Sequence, residues 1–274
     1  MTGFLDEMAR SSALRVAQAM QRESFGELER RANRMARPPP LLLSVEGFDV
    51  IAELKLRSPA AGVLGEKNDD RWSRVAAYAR GGAAAVSVLT EPSRFDGSLE
   101  HLRDAALALA PHHVPVMRKD FLVDAYQVLE ACAAGAGGVL IIVRMLPPQR
   151  IAALLDAAAD HQLFVLLEAF DGADLEAVRR LLEIRRREET ILVGVNSRDL
   201  QTLKVRPERF SVLASELPME WPCVAESGVA RPADALAMRR LGYRLALIGT
   251  ALMNADDPAV LLGEILHAAR TVAT

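Results

Sequence analysis

Cysteine is scarce in this chain: Cys132 and Cys223 are the only two, and each lies in an apolar segment with no metal-ligand or redox spacing around it. Both read as buried free thiols. Net charge is lacking too. A formal value of −3 gives no global reason to bind nucleic acid or an anionic membrane, so anion recognition must come from locally placed Lys and Arg. The longest basic cluster, residues 30–37, is short and flanked by acids. No apolar run reaches the length of a membrane span. The start of the chain carries Asp6, Glu7 and Glu23 and does not read as a secretory signal. A reducing cytoplasm is the expected location.

What is present is a large apolar fraction, 51% hydrophobic against 25% charged residues, which suits a globular protein with a sizeable core. The length of 274 residues is ordinary for one α/β barrel, which needs about 250. From Asp49 onward, short β-rich apolar runs alternate with segments of helical period, the signature of consecutive βαβ units and a parallel sheet. The runs cover residues 50–55, 85–89, 115–118, 138–143, 164–168, 191–195, 223–226 and 246–248. They are continuously apolar, as strands covered on both faces should be. Between them, Ile151, Leu154, Leu155 and Ala158 form a helical stripe after Pro147-Pro148. Leu175, Val178 and Leu182 form another, and Leu261, Ile265 and Ala268 a third. Glycines at Gly81-Gly82, Gly135 and Gly242 mark returns from helix to strand.

A doubly wound open sheet also alternates strand and helix, but it predicts a Gly-rich phosphate turn after the first strand. That strand instead ends in Glu53-Leu54-Lys55 and enters a loop of about fifteen residues, long enough to suggest a functional lid. The expected fold is therefore a (β/α)8 or TIM barrel with an extra N-terminal helical segment. Residues 2–36 read as helix, with Phe4, Leu5 and Met8 on one side, ended by Pro38-Pro39-Pro40. Residues 1–47 are expected to form an extension capping a catalytic barrel of residues 48–274, one domain overall.

In such barrels chemistry sits at the carboxyl ends of the strands. Here those ends present Glu53 and Lys55, Thr90 and Glu91, Arg118, Lys119 and Asp120, Arg144, Glu168, Asn196 and Arg198, Glu226 and Ser227, then Gly249 and Thr250. A single strand-end charge is commonly a solvated loop residue; recurrence around the barrel is not. Glu53 and Lys55, two apart, share the barrel-facing side and influence each other's protonation, whether as a structural ion pair or as a functional one. Lysines near carboxylates in a partly dry cavity can act as acids, and a carboxylate opposite can take a proton. At the last two ends, Glu226-Ser227-Gly228 and Gly249-Thr250 occupy the place where such barrels bind phosphate, which points to an anionic, phosphorylated substrate.

These segments resemble the indole-3-glycerol phosphate synthase family over nearly all of residues 48–258. The matching stretches are IAELKLRSP (51–59), SVLTEPSRFDGSLE (87–100), PVMRKDF (115–121), LLEAF (166–170), VGVNSRDL (193–200), VAESGV (224–229) and LIGTALM (247–253). The resemblance implies a (β/α)8 barrel that needs no cofactor or metal. It implies conversion of 1-(2-carboxyphenylamino)-1-deoxyribulose 5-phosphate to indole-3-glycerol phosphate, with loss of carbon dioxide and water, in tryptophan biosynthesis.

By resemblance Lys119 is the acid of ring closure, Lys55 the lysine that holds the substrate carboxylate and serves as a second acid, and Glu168 the base of dehydration. Glu53, Asn196 and Ser227 position substrate, Glu226 supports the lysines, and Arg198 joins the substrate contacts. The phosphate falls to Ser58 and the amides around Gly228, Gly249 and Thr250. Leu89, Phe95, Phe121 and Leu200 hold the aromatic ring. The expected partner is a small phosphorylated substrate rather than nucleic acid or membrane, with a monomer as the default.

The chain departs from the family pattern at Leu56, usually basic; at Ala60-Ala61, usually more polar; at Arg94, commonly aromatic; and at Ala169-Phe170 after the expected base. These changes bear on substrate affinity and loop closure. Three other readings compete: phosphoribosylanthranilate isomerisation, which looks for a Cys at the first strand end; a lysine Schiff-base aldolase; and a non-catalytic barrel subunit binding a phosphorylated ligand.

Overall fold

The computed structural model describes residues 3–45, 47–58, 62–63, 71–183, 185, 189–199 and 202–271. Eight strands close into a parallel barrel: β1 (Asp49–Leu54), β2 (Ala85–Leu89), β3 (Val116–Lys119), β4 (Gly138–Ile142), β5 (Phe164–Ala169), β6 (Ile191–Asn196), β7 (Cys223–Glu226) and β8 (Leu245–Ile248). Each pairs in parallel with its sequence neighbours. The seam joins β1 to β8, with Asp49 opposite Leu245 and Ala52 opposite Ile248. Closure excludes the open doubly wound sheet, which has free edges.

Side chains alternate across the barrel wall, as the strand period requires. Val50, Ala52, Val86, Val88, Val139 and Ile141 point outward into the layer beneath the helices. Ile51, Ala85, Met117, Leu140, Leu166, Leu192, Val224 and Leu245 point inward and fill the lumen. Farther toward the strand ends the inward positions include Glu53, Lys119, Glu168, Asn196 and Glu226, so on those strands polar residues cap the apolar plug.

The helical stripes expected from residues 151–158 and 175–182 are buried. In the last helix, Pro258–Arg270, the buried stripe is Leu262, Ile265, Leu266 and Ala269; Ile265 is buried as expected, while Leu261 and Ala268 sit at the margin, one position before Leu262 and Ala269. Leucine at both 261 and 262 made the two registers equally plausible by composition. The returns at Gly135 and Gly242 have φ of 85° and 96°, the left-handed conformation that glycine adopts without strain.

The N-terminal segment is two helices rather than one, α1 (Phe4–Met20) and α2 (Phe25–Ala32). Ser24 and Glu27 explain the break: each side chain satisfies the other's backbone N–H in a capping box that starts a new helix. Met8 joins the lumen cluster and Phe4 and Leu5 pack on it, while Leu41 and Leu43 reach the same cluster from the segment that follows. Arg244, just before β8, donates to Ser44 O at 3.1 Å, which fixes that segment at the amino-terminal end of the barrel. Among the described residues no helix is long and apolar enough to cross a membrane.

Candidate active site

A cavity of about 430 Å³ opens at the carboxyl ends of the strands, within the range of small-molecule sites. Of the residues expected at the site, Glu53, Lys55, Leu89, Phe95, Lys119, Phe121, Glu168, Asn196, Arg198, Glu226, Ser227, Gly228, Gly249 and Thr250 all line it. Ser58 lies in a short antiparallel hairpin, opposite Gly62. Leu200 and the Ala60-Ala61 pair fall outside the described residues.

The polar groups form three contacts. Lys55 Nζ meets Glu53 Oε1 at 2.5 Å, as the two-residue spacing on β1 predicts. Lys119 Nζ reaches across the lumen to Glu226 Oε2 at 3.5 Å. Asn196 Nδ2 donates to Glu168 Oε1. The Asn196 amide is oriented by its other end, since its Oδ1 accepts from Arg198 N at 2.9 Å. Arg209 donates to Asn196 O at 2.6 Å and so braces the end of β6 from outside the cavity.

Burial alone would push Lys119 down, but the carboxylates of Glu168, Glu226 and Glu53 outweigh it and hold the ammonium above the usual lysine range. Burial would likewise raise Glu53; Lys55 and Lys119 outweigh it and keep that carboxyl below its ordinary value. Glu226 goes the other way. Burial, reinforced by Glu168 and Glu53, pushes its carboxyl up against the opposing pull of Lys119. Its Oε1 is buried with no hydrogen-bond partner, consistent with a group that gains by holding a proton.

Two glycines make room for these carboxylates. A Cβ on Gly194 would stand 2.0 Å from Glu226 Oε1, and one on Gly249 would stand 2.3 Å from Glu53 Oε1. Gly249 therefore does steric work for Glu53, a role separate from the phosphate contact expected of it. Ser227 and Gly228 both have positive φ, 65° and 91°, and form a tight turn after β7 held by Ser197 Oγ donating to Ser227 O at 2.7 Å.

One wall is aromatic. Phe95 and Phe121 lie 6.2 Å apart by ring centroid, and Phe4 meets Phe121 edge-on at 5.8 Å. The participation of Phe4 and Phe170 in the lining is absent from the sequence reading of the site. Phe4 belongs to α1, and its only sequence signal is the apolar face it shares with Leu5 and Met8. Gly194 carried no signal beyond an interrupted apolar run.

Four strand-end groups turn away from the cavity. Arg144 pairs with Asp171 and Asp174 and stacks over Phe170 at 4.7 Å. Glu91 caps the short helix Pro92–Phe95. Thr90 and Arg118 join a buried cluster around Asp120 behind β3. Neither cysteine is at the mouth: Cys132 lies in the helix Ala125–Ala133, and Cys223 begins β7, where burial pushes its thiol up to about 12. Among the described residues no group of His, Cys, Asp and Glu is arranged to hold a metal ion.

Fold and site together define a (β/α)8 barrel with lysines and carboxylates gathered at the mouth of its lumen. The chain belongs to the indole-3-glycerol phosphate synthase family, whose model matches residues 5–265. It is 36% identical over 272 residues to the indole-3-glycerol phosphate synthase of Polaromonas sp. strain JS666, a match covering 97% of this chain and 98% of that one. The synthase of Nocardioides sp. strain JS614 is 42% identical over 212 residues, 77% of each chain. Two solved structures share the barrel alone. A 3-hexulose-6-phosphate synthase superposes with a TM-score of 0.58 at 18% identity, over 81% of this chain and 99% of its own. A thiamine phosphate pyrophosphorylase from Pyrococcus furiosus gives 0.57 at 15% identity, over 82% and 98%.

Proposed function

We propose that this chain converts 1-(2-carboxyphenylamino)-1-deoxyribulose 5-phosphate to indole-3-glycerol phosphate, carbon dioxide and water, as an indole-3-glycerol phosphate synthase. The observation that carries the proposal is Lys119 set among Glu53, Glu168 and Glu226 at the mouth of a family-typical barrel. The net reaction forms one carbon–carbon bond and loses carbon dioxide and water, so its demands are acid, base and charge placement.

Lys119 donates to the ribulose carbonyl oxygen as the aromatic carbon bearing the carboxylate attacks the carbonyl carbon. Lys55 faces that carboxylate, which then leaves as carbon dioxide and returns its electron pair to the ring. Dehydration follows: the new hydroxyl departs as water with a proton from Lys55, and Glu168, oriented by Asn196, takes the remaining proton. Glu53 holds Lys55 in place, and Glu226 holds Lys119. Leu89, Phe95, Phe121 and Leu200 hold the anthranilate ring. Arg198 and Ser227 position the sugar. Ser58 and the amides of Gly228, Gly249 and Thr250 take the phosphate.

A Schiff-base route is disfavoured by the same electrostatics, because an amine held protonated is a poor nucleophile. We further take residues 1–47 as an extension of one catalytic unit with the barrel of 48–274. It works as a cytoplasmic monomer on a diffusible phosphorylated substrate. The direct test is incubation with the carboxyphenylaminodeoxyribulose phosphate while indole fluorescence and released carbon dioxide are followed. Stoichiometric appearance of both is expected; neither appearing at high enzyme concentration sinks the proposal.

A further inference from the structure

The strand that delivers Lys119 has the weakest edge in the barrel. The β3–β4 ladder runs only from Met117 opposite Gly138 to Arg118 opposite Val139, and it stops one residue short of Lys119. On the other side Lys119 is still paired, opposite Leu89, and its carbonyl accepts from Thr90 N at 3.1 Å. The sheet therefore holds the lysine's backbone from one side. What fixes the other side lies behind the strand, around Asp120, which itself reaches the edge of the cavity while Thr90, Arg118 and Arg15 do not line it.

There the carboxylate of Asp120 is the centre of a buried cluster. It accepts from Thr90 Oγ1 at 2.8 Å, from Arg118 at 3.1 Å and from the Phe121 N–H at 2.8 Å. Arg15 of α1 adds a two-pronged contact, Nη1 to Oδ2 at 2.9 Å and Nη2 to Oδ1 at 2.7 Å. A guanidinium gripping both carboxylate oxygens fixes the plane of the carboxylate as well as its distance. Arg118 divides itself between Asp120 and Glu130, so without Arg15 one cation would face two carboxylates. Burial would raise Asp120, yet Arg15, Arg118 and Thr90 bring it down to about 2, so it is anionic across the physiological range. Ser12 ties the same helix to the following segment, accepting from Gln127 Nε2 at 2.8 Å.

We propose that Arg15 is a positioning residue for Lys119: acting through Asp120, it holds the end of β3 where the sheet no longer does, and so aims the acid into the cavity. Arg15 is not among the residues lining that cavity. Its loss should therefore affect the chemical step more than substrate capture. The inference rests on the role given to Lys119 above.

The test compares Arg15→Met and Arg15→Lys with the parent by steady-state kinetics, thermal unfolding and crystallography. In Arg15→Met, kcat is expected to fall about tenfold or more with KM within about threefold, the pattern for a misaimed group acting in the transition state. Arg15→Lys, which keeps the charge and can make one of the two bonds, should recover part of kcat. In the Met variant's crystal structure Lys119 Nζ should leave Glu226 Oε2, 3.5 Å away here. Unchanged kcat in Arg15→Met, or a loss confined to KM, overturns the proposal. Should the Met variant fail to fold, full kcat in a folded Arg15→Lys overturns it equally. An inactive parent would sink the synthase reading alone, because the position of Lys119 in the variant crystal still decides whether Arg15 sets it.

Discussion

At the scale of single residues four carboxyl groups, Glu53, Asp120, Glu168 and Glu226, line the cavity against three cations, Lys55, Lys119 and Arg198. Glu168, Glu226 and Glu53 hold Lys119 above the usual lysine range, while burial pushes the Glu226 carboxyl up. Glu226→Gln removes one of the carboxylates that raise Lys119, so the lysine's ionisation must move down. The alkaline limb of the kcat/KM profile is expected to shift to lower pH in that variant. A limb that stays in place or moves up would show that Glu226 does not support the lysine's proton. The Glu53–Lys55 pair was legible in the sequence because residues two apart on a strand share a face. The Lys119–Glu226 contact was not, since it joins residues 107 apart and depends on strand order and register around the barrel.

At the scale of elements, β6 shows how backbone is shaped to a side chain. Gly194 stands opposite Glu168 in the ladder and leaves the space that Glu226 occupies from β7. Gly194→Ala puts a methyl against that carboxylate and within 3.0 Å of Leu166 Cδ1. We expect a loss of about 1–3 kcal/mol in stability from overpacking, together with a fall in kcat as Glu226 is displaced. Denaturant unfolding and kinetics at parent level in both respects would refute the steric role. The strands themselves were legible within a residue or two at each end, because continuous apolar runs bounded by turns leave little freedom. The division of the N-terminal segment was written in Ser24 and Glu27 but was overridden by its continuous helical character. The buried face of the last helix, with apolar residues at both 261 and 262, could be settled only by its packing against the barrel.

At the scale of the whole molecule, the barrel is clasped where its first strand meets its last helix. Arg270 donates to Phe48 O and to Asp49 Oδ1, both at 2.9 Å, and Asp49 Oδ2 accepts from Ser44 N at 2.9 Å. Asp49 is buried, so Arg270→Ala leaves a carboxylate with half its partners. The melting temperature is expected to drop by about 5 °C while kcat holds, because the clasp lies at the end of the barrel away from the cavity. Calorimetry and kinetics on this variant check both halves; a large loss of kcat would contradict the separation of stability from chemistry. Closure itself carries a temporal consequence. The seam pairs β1 with β8, strands almost two hundred residues apart, and the space for Glu53 is completed only by Gly249. A nascent chain emerging at about 5–20 residues per second therefore spends on the order of ten seconds with an unpartnered first-strand edge and an unfinished site. During synthesis this protein must guard an open sheet before it has an active site to protect.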